Sequence, residues 1–160
     1  MIVFTDGACS ANGTENSRGG FGVVILNNDN TYHSCYQKIT EQTTNNREEL
    51  KAILFALIKY GKKETPLIVF TDSAYCVNSL TQWIFGWAVK GWLKSDNKPP
   101  ENLDLIKTFY ELYQLGYKMD LRKIKGHNGH EWNEIADGLA TGKLKVEDIE
   151  RKYNDKEKII

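Results

Sequence analysis

Cysteine is scarce in this 160-residue chain, and Cys9, Cys35 and Cys76 are the whole set. Three scattered thiols provide neither the C-x-x-C spacing of a zinc site nor the density of a disulfide-stapled secreted scaffold. A reducing, cytoplasmic setting is expected. An excess of charge of one sign is also missing, since 21 Lys and Arg face 21 Asp and Glu. Bulk charge therefore names no partner, although a local basic patch can dock a nucleic-acid backbone while acids elsewhere cancel the sum. No run of about 18 apolar residues occurs, and no basic stretch leads into an apolar one at the start. Neither a membrane span nor a targeting leader is expected. No pattern recurs at a fixed period, which excludes a solenoid. What remains is one domain of ordinary size, able to bury a core without disulfides or structural metal, and expected to be a monomer.

One short run does occur twice. "IVFTD" spans Ile2 to Asp6 and returns from Ile68 to Asp72. Around it the first 40 residues predict a three-strand meander: Met1 to Ala8 ending in an Asp-Gly turn, then Gly20 to Leu26 and Thr31 to Ile39 flanking "NNDN". From Asn45 the period changes. Leu50, Ile53, Leu54, Leu57 and Ile58 form the apolar stripe of a helix that ends near Gly61. "PLIVFTD" then reads as a strand covered on both faces. Next come a helix or helix pair from Ser73 to about Lys90, a loop to Pro100 and a helix from Leu103 to Leu115. A strand from Lys118 to Ile124 and a helix from Glu131 to Thr141 complete an α/β order. Each copy of the repeat is expected to be a strand with its carboxylate at the C-terminal end, where α/β sheets build their sites. Asp6 and Asp72 would lie side by side if the two strands were parallel neighbours. Alone, either Asp could simply cap a turn.

A third acid should come from the helix between the copies, where Glu48 and Glu49 compete. At about 100° per residue, Glu48 lies roughly 150° from the centre of the apolar stripe and Glu49 roughly 110°. Glu49 borders the buried side, while Glu48, three residues after Asn45, has the spacing of a capping box. In the last helix, Asp137 stands between Ala136 and Gly138, beside the stripe of Trp132, Ile135, Ala136 and Leu139. Four converging carboxylates without matching cations would repel one another, and divalent ions resolve this. Oxygen ligands with no cysteine and little histidine suit magnesium or manganese. Two such ions about 4 Å apart clamp the attacking and leaving oxygens of a phosphodiester.

Four motifs in order, "TDGAC" at Thr5, "TNNREEL" at Thr44, "TDSAY" at Thr71 and "KGHNGHEWNEIAD" at Lys125, resemble type 1 ribonuclease H of the bacterial kind, from Ile2 to about Leu144. The resemblance implies a ribonuclease H-like fold: a five-stranded mixed sheet, order 3-2-1-4-5, with helices on both faces. It divides the chain into a domain, 1–144, and a charged tail, 145–160, whose alternating charges predict a short solvent-facing helix. It implies an endonuclease that hydrolyses the RNA strand of RNA–DNA hybrids by two-metal-ion catalysis, leaving 5′-phosphate and 3′-hydroxyl ends, as in removal of replication primers or R-loops. Magnesium would be the cofactor, two ions per site, with manganese able to substitute. Its catalytic metal ligands fall on Asp6, Glu49, Asp72 and Asp137, and its mobile catalytic histidine on His127. His130 and His33 are expected to be structural.

Recognition of a hybrid requires contact with ribose 2′-hydroxyls on one strand and tolerance of deoxyribose on the other. The resemblance places Cys9, Asn12, Asn45 and Asn46 along the minor groove, Thr44 and Asn102 near a DNA-strand phosphate, and Trp83 against DNA sugars. Asn45 and Asn102 also sit where helix N-caps belong. "QWIFGWAVKGWLKSDNKPP" resembles the basic protrusion of the bacterial enzymes, with Trp87 and Trp92 expected to form a small core of its own. The chain departs from the pattern in three places. Ala88 and Val89 stand where lysines are common, leaving Lys90, Lys94, Lys98 and Asp96 as a weaker patch. Ala74 replaces a glutamine, and the loop Ser10 to Gly19 is longer and lacks the usual proline. A non-catalytic hybrid-binding module is the alternative, but it should have lost a carboxylate. A resolvase or transposase core fits the "TNNREEL" and "KGHNGHEWN" motifs less well.

Overall fold

Strand β1 (Ile2–Ser10) lies at the centre of a five-stranded mixed sheet in the order β3-β2-β1-β4-β5. The computed structural model describes residues 1–12, 14–124 and 130–154, and His127 with the rest of 125–129 lies outside them. β1, β2 (Arg18–Leu26) and β3 (Tyr32–Glu41) form the expected antiparallel meander. β4 (Leu67–Thr71) joins β1 in parallel, Ile2 to Phe4 against Ile68 to Phe70, and β5 (Met119–Lys123) joins β4 in parallel. The two copies of the repeat are thus neighbours in register.

One boundary differs from expectation for a physical reason. Asp6-Gly7 is not a turn: β1 runs on to Ser10 because its other edge stays paired with β2, Asp6 opposite Gly22 and Gly7 opposite Phe21. Asp6 therefore stands where the parallel ladder with β4 ends, in mid-strand, while Asp72 follows the last residue of its strand.

Side chains alternate across the sheet and feed two cores. Val3, Phe21, Val23, Ile25, Leu67 and Val69 face α1 (Asn45–Tyr60) and α4 (Leu103–Gln114), where Leu50, Ile53, Leu57, Ile106 and Phe109 are buried. Phe4, Val24 and Leu26 face α5 (Glu131–Thr141), which contributes Ile135, Ala136 and Leu139. The charged tail forms α6 (Val146–Asn154), one face of which packs Ile149 into this second core. Gln37 of β3 stitches that segment down, donating to the Leu139 and Leu144 carbonyls at 3.0 Å each and accepting from Val146 N at 3.0 Å. Among the described residues no helix is long and apolar enough to cross a membrane.

Between β4 and α4 the chain forms α2 (Ala74–Asn78), a π-helical turn (Ser79–Trp83) and α3 (Ile84–Val89). Trp87 and Trp92 do not make a separate core for this protrusion. Both pack on the main core, Trp92 with its ring 5.3 Å from Tyr110, so the protrusion is anchored to α4.

Glu48 is the largest departure from the sequence pattern. Thr44, not Asn45, is the N-cap of α1, its hydroxyl accepting from Arg47 N at 3.2 Å, so Glu48 is out of capping-box register. It is fully buried, and Lys51 Nζ lies 2.9 Å from its Oε2 while donating to Thr40 Oγ1 at 2.9 Å. The ammonium is off the hydrogen-bonding direction of Oε2, which therefore has a charge partner without a hydrogen bond. A helix considered alone presents Glu48 to water; the sheet it lies on covers that side as well.

Removing one member of a buried ion pair leaves an uncompensated charge, whereas replacing both with apolar residues is far less harmful. Lys51→Met should therefore destabilise the fold by about 3 kcal/mol, and the double change Glu48→Met with Lys51→Met should recover most of that loss. Urea unfolding followed by circular dichroism measures both; a double variant no more stable than the single one would contradict the pairing.

Candidate active site

Asp6, Glu49 and Asp72 come together, each offering a carboxylate oxygen within 4.8 Å of the other two. Backbone geometry brings them there. Thr5 Oγ1 donates to the Phe70 carbonyl at 3.2 Å, tying β1 to β4 one residue before Asp6 and two before Asp72. Thr71 and Ser73 hold the turn after β4 through Ser73 N to Thr71 Oγ1 and Cys76 N to Ser73 Oγ, both 3.1 Å. Gly7 admits the third acid: a Cβ there would lie 2.3 Å from Glu49 N and 2.5 Å from the Glu48 carbonyl carbon. Only a residue without a side chain lets α1 press that closely on β1.

Asp137 approaches from the opposite face of the sheet on α5, close enough that its charge and hydrogen bonding act on Asp6. α5 sits tight against β2 at Gly22, where a Cβ would lie 2.3 Å from the Ala136 carbonyl oxygen.

Burial chiefly raises the Asp6 carboxyl to about 8, and the negative charges of Asp72 and Asp137 add to the rise while a hydrogen bond with Glu49 opposes it. Glu49 is raised as well, first by burial and then by the charge on Asp6. Its Oε2 is buried without a hydrogen-bond partner. A cluster of oxygen donors, short of cations and with an orphaned carboxylate oxygen, has the chemistry of a hard divalent-cation site. The residues present fit magnesium or manganese.

Asn12 Oδ1 accepts from Asn45 N at 2.8 Å, so Asn12 is docked on the start of α1. Cys9 Sγ is directed to the Thr43 carbonyl at 3.3 Å. Thr44, Arg47 and Asn102 line one polar cleft of about 460 Å³ with Thr14, Glu15, Ser17, Gln42 and Thr43. Asn102 occupies the N-cap position of α4 but makes no capping bond there. Arg47 was not singled out from the sequence, although it lies three residues after Thr44 on one helix face, which was signal enough. It forms a bidentate pair with Asp104, at 3.0 and 2.7 Å. Asn46, on the first turn of α1, has no hydrogen-bond partner among the described residues that fixes its side chain. Trp83 is 45% exposed at the end of the π-turn, well placed to meet a large partner. Val89 at the end of α3 is 87% exposed, and Lys94 is paired with Asp96 at 3.7 Å, which dilutes the protrusion's positive charge. His130 is exposed, with its ring 5.1 Å from that of Phe4. His33 is exposed on β3, edge-on to Tyr60.

The family model described as RNase H matches residues 1–145. A ribonuclease H of Agrobacterium fabrum is 42% identical over 141 residues, covering 86% of this chain and 90% of that protein. Among solved structures, LC9-RNase H1, a type 1 RNase H with the type 2 active-site motif, is 30% identical with a TM-score of 0.68, covering 87% of this chain and 69% of that one. LC11-RNase H1, solved in complex with RNA/DNA hybrid, shares the fold at 21% identity and a TM-score of 0.63, covering 92% of this chain and 97% of that one. The chain belongs to the RNase H family.

Burial of Asp6 has a thermodynamic consequence. An acid whose folded pKa is raised holds its proton in the folded protein after the unfolded chain has released it, so its contribution to stability is largest below the ordinary carboxylate range, ~4, and is lost as pH climbs toward about 8. In EDTA, wild-type protein should melt at lower temperature at pH 8 than at pH 5, and Asp6→Asn should flatten that dependence. Millimolar magnesium should raise the melting temperature of wild type at pH 8 and do little for the variant. Identical pH dependence in the two proteins would contradict the electrostatic account.

Proposed function

We propose that this chain is an endoribonuclease that hydrolyses the RNA strand of RNA–DNA hybrids, leaving 5′-phosphate and 3′-hydroxyl ends. The convergence of Asp6, Glu49 and Asp72, with Asp137 acting on Asp6, in an RNase H-family chain carries this reading. Asp6, Glu49, Asp72 and Asp137 would hold two magnesium ions, which supply activation of the attacking water and neutralisation of charge on the leaving oxygen.

The protein's own contribution is placement. The rigid β1–β4 ladder and the close seat of α1 on Gly7 set the carboxylates against one another before substrate arrives, so no reorganisation is needed during reaction. Glu49, buried and facing the charge of Asp6, favours its neutral form until a cation offsets the surrounding negative charge. His127, by its place in the motif, is assigned proton movement or product release.

Cys9, Asn12, Asn45 and Asn46 are assigned to the minor groove, where the 2′-hydroxyl distinguishes RNA from DNA. Thr44 and Asn102 are assigned to a DNA-strand phosphate. The Thr44 hydroxyl accepts from Arg47 N, which leaves its own proton free to donate into the cleft. Trp83 is assigned to stacking on DNA sugars. Removal of replication primers or R-loops by a cytoplasmic monomer follows as the cellular role.

An end-labelled RNA–DNA hybrid, presented beside RNA duplex, DNA duplex and single strands, tests the activity. Cleavage should be confined to the RNA of the hybrid and should vanish with EDTA or with Asp72→Asn. A folded protein that binds hybrid without cutting it would replace the enzyme with a binding module. Hybrid affinity should also fall less steeply with salt than for a homologue whose protrusion carries more lysines, because fewer phosphates are neutralised; equal slopes would refute the account of the protrusion.

A further inference from the structure

Asn102 is held in a way that capping does not explain. Its backbone is left-handed, φ 58° and ψ 31°, a conformation that asparagine tolerates better than most residues. Its side chain makes no bond to the helix it precedes. Instead, Arg47 Nη1 donates to its Oδ1 at 3.4 Å, and its Nδ2 donates to the Tyr75 hydroxyl at 3.1 Å. A guanidinium can only donate, so the amide has one permitted orientation and the nitrogen must face Tyr75. One N–H of that amide remains available to the cleft shared with Thr44.

The two anchors come from the segments that carry the carboxylates. Tyr75 lies three residues after Asp72 in the first turn of α2, and Arg47 two residues before Glu49 in the first turn of α1. Arg47 is itself locked to Asp104 through both terminal guanidinium nitrogens. The Tyr75 ring is half-buried, and its hydroxyl also reaches the Glu101 carbonyl at 3.4 Å.

We propose that Tyr75 is a positioning residue: its hydroxyl, with Arg47 opposite, fixes the Asn102 amide so that the phosphate-binding cleft stays at a set distance from the carboxylate cluster. This rests on Asn102 meeting a DNA-strand phosphate, as assigned above. Tyr75 touches no reacting atom. It links the place where one strand is gripped to the place where the other is cut.

A double-mutant cycle on Tyr75 and Asn102 tests this. Tyr75→Phe keeps the ring and removes the hydroxyl, and Asn102→Gly removes the amide while tolerating positive φ. KM for hybrid, kcat and melting temperature are measured for wild type, both single variants and the double variant. Tyr75→Phe should raise KM about fivefold, the fold-change of one ordinary net hydrogen bond, with kcat and melting temperature little changed. In the Asn102→Gly background the same change should have no further effect on KM, because the group it positions is gone. A Tyr75→Phe penalty of equal size in both backgrounds, or one seen only in melting temperature, would overturn the proposal. If Asn102→Gly alone left KM unchanged, the assignment of Asn102 to the phosphate would fall, a separate outcome from an Asn102 effect that Tyr75 does not share.

Discussion

The contact between Gly7 and the backbone of Glu48 and Glu49 is the constraint on which the site depends. β1 and β4 bring two aspartates together through a hydrogen-bonded ladder, but a helix lying on a sheet is ordinarily kept about 10 Å away by side chains on both surfaces. At Gly7 nothing stands between the two backbones. The first turn of α1 can then deliver Glu49 to the sheet surface itself, and the same approach seals Glu48 beneath the helix. Lys51 and its tether to Thr40 are the local answer to a carboxylate trapped by that approach.

Two buried acids, one residue apart, are thus handled in opposite ways. Glu48 has a fixed cation from the protein and is electrostatically complete. Glu49 has none and shares a crowded cluster of acids; a buried oxygen without a hydrogen bond is common to both. Structural charges are matched internally; a site meant for an external ion is left unmatched. The contrast separates the two roles more firmly than burial, since Glu48 is the more buried of the pair.

Much of this was legible in the amino-acid order, and the exceptions share a cause. The duplicated run marked two buried strands that end in carboxylates, the family resemblance made them neighbours, and helical phase favoured Glu49 over Glu48. The same phase argument failed for the burial of Glu48, because it treats the helix as touching the core along one stripe and knows nothing of a sheet that wraps round its first turn. Asp6-Gly7 looked like a turn because that dipeptide commonly is one, and continued pairing with β2 overrode it. Trp87 and Trp92 looked like an isolated cluster because their partners, Tyr110 and its neighbours on α4, come later in the chain. Arg47 and Tyr75 stood inside recognised motifs, but their bonds to Asn102 span 55 and 27 residues and appear only in three dimensions.

The strand order also sets a sequence of events in time. Of the five strands β1 is synthesised first and occupies the middle of the finished sheet, pairing on one side with β2 and on the other with β4, where Ile2 meets Ile68. A growing chain can zip β1 to β2 and β3 as soon as they emerge, but the open edge of β1 must wait for α1 and β4. The acids arrive in the same order, Asp6, then Glu49, then Asp72, with Asp137 last. Their mutual repulsion is therefore assembled gradually, and its full cost falls on a chain whose sheet and first core can already be in place.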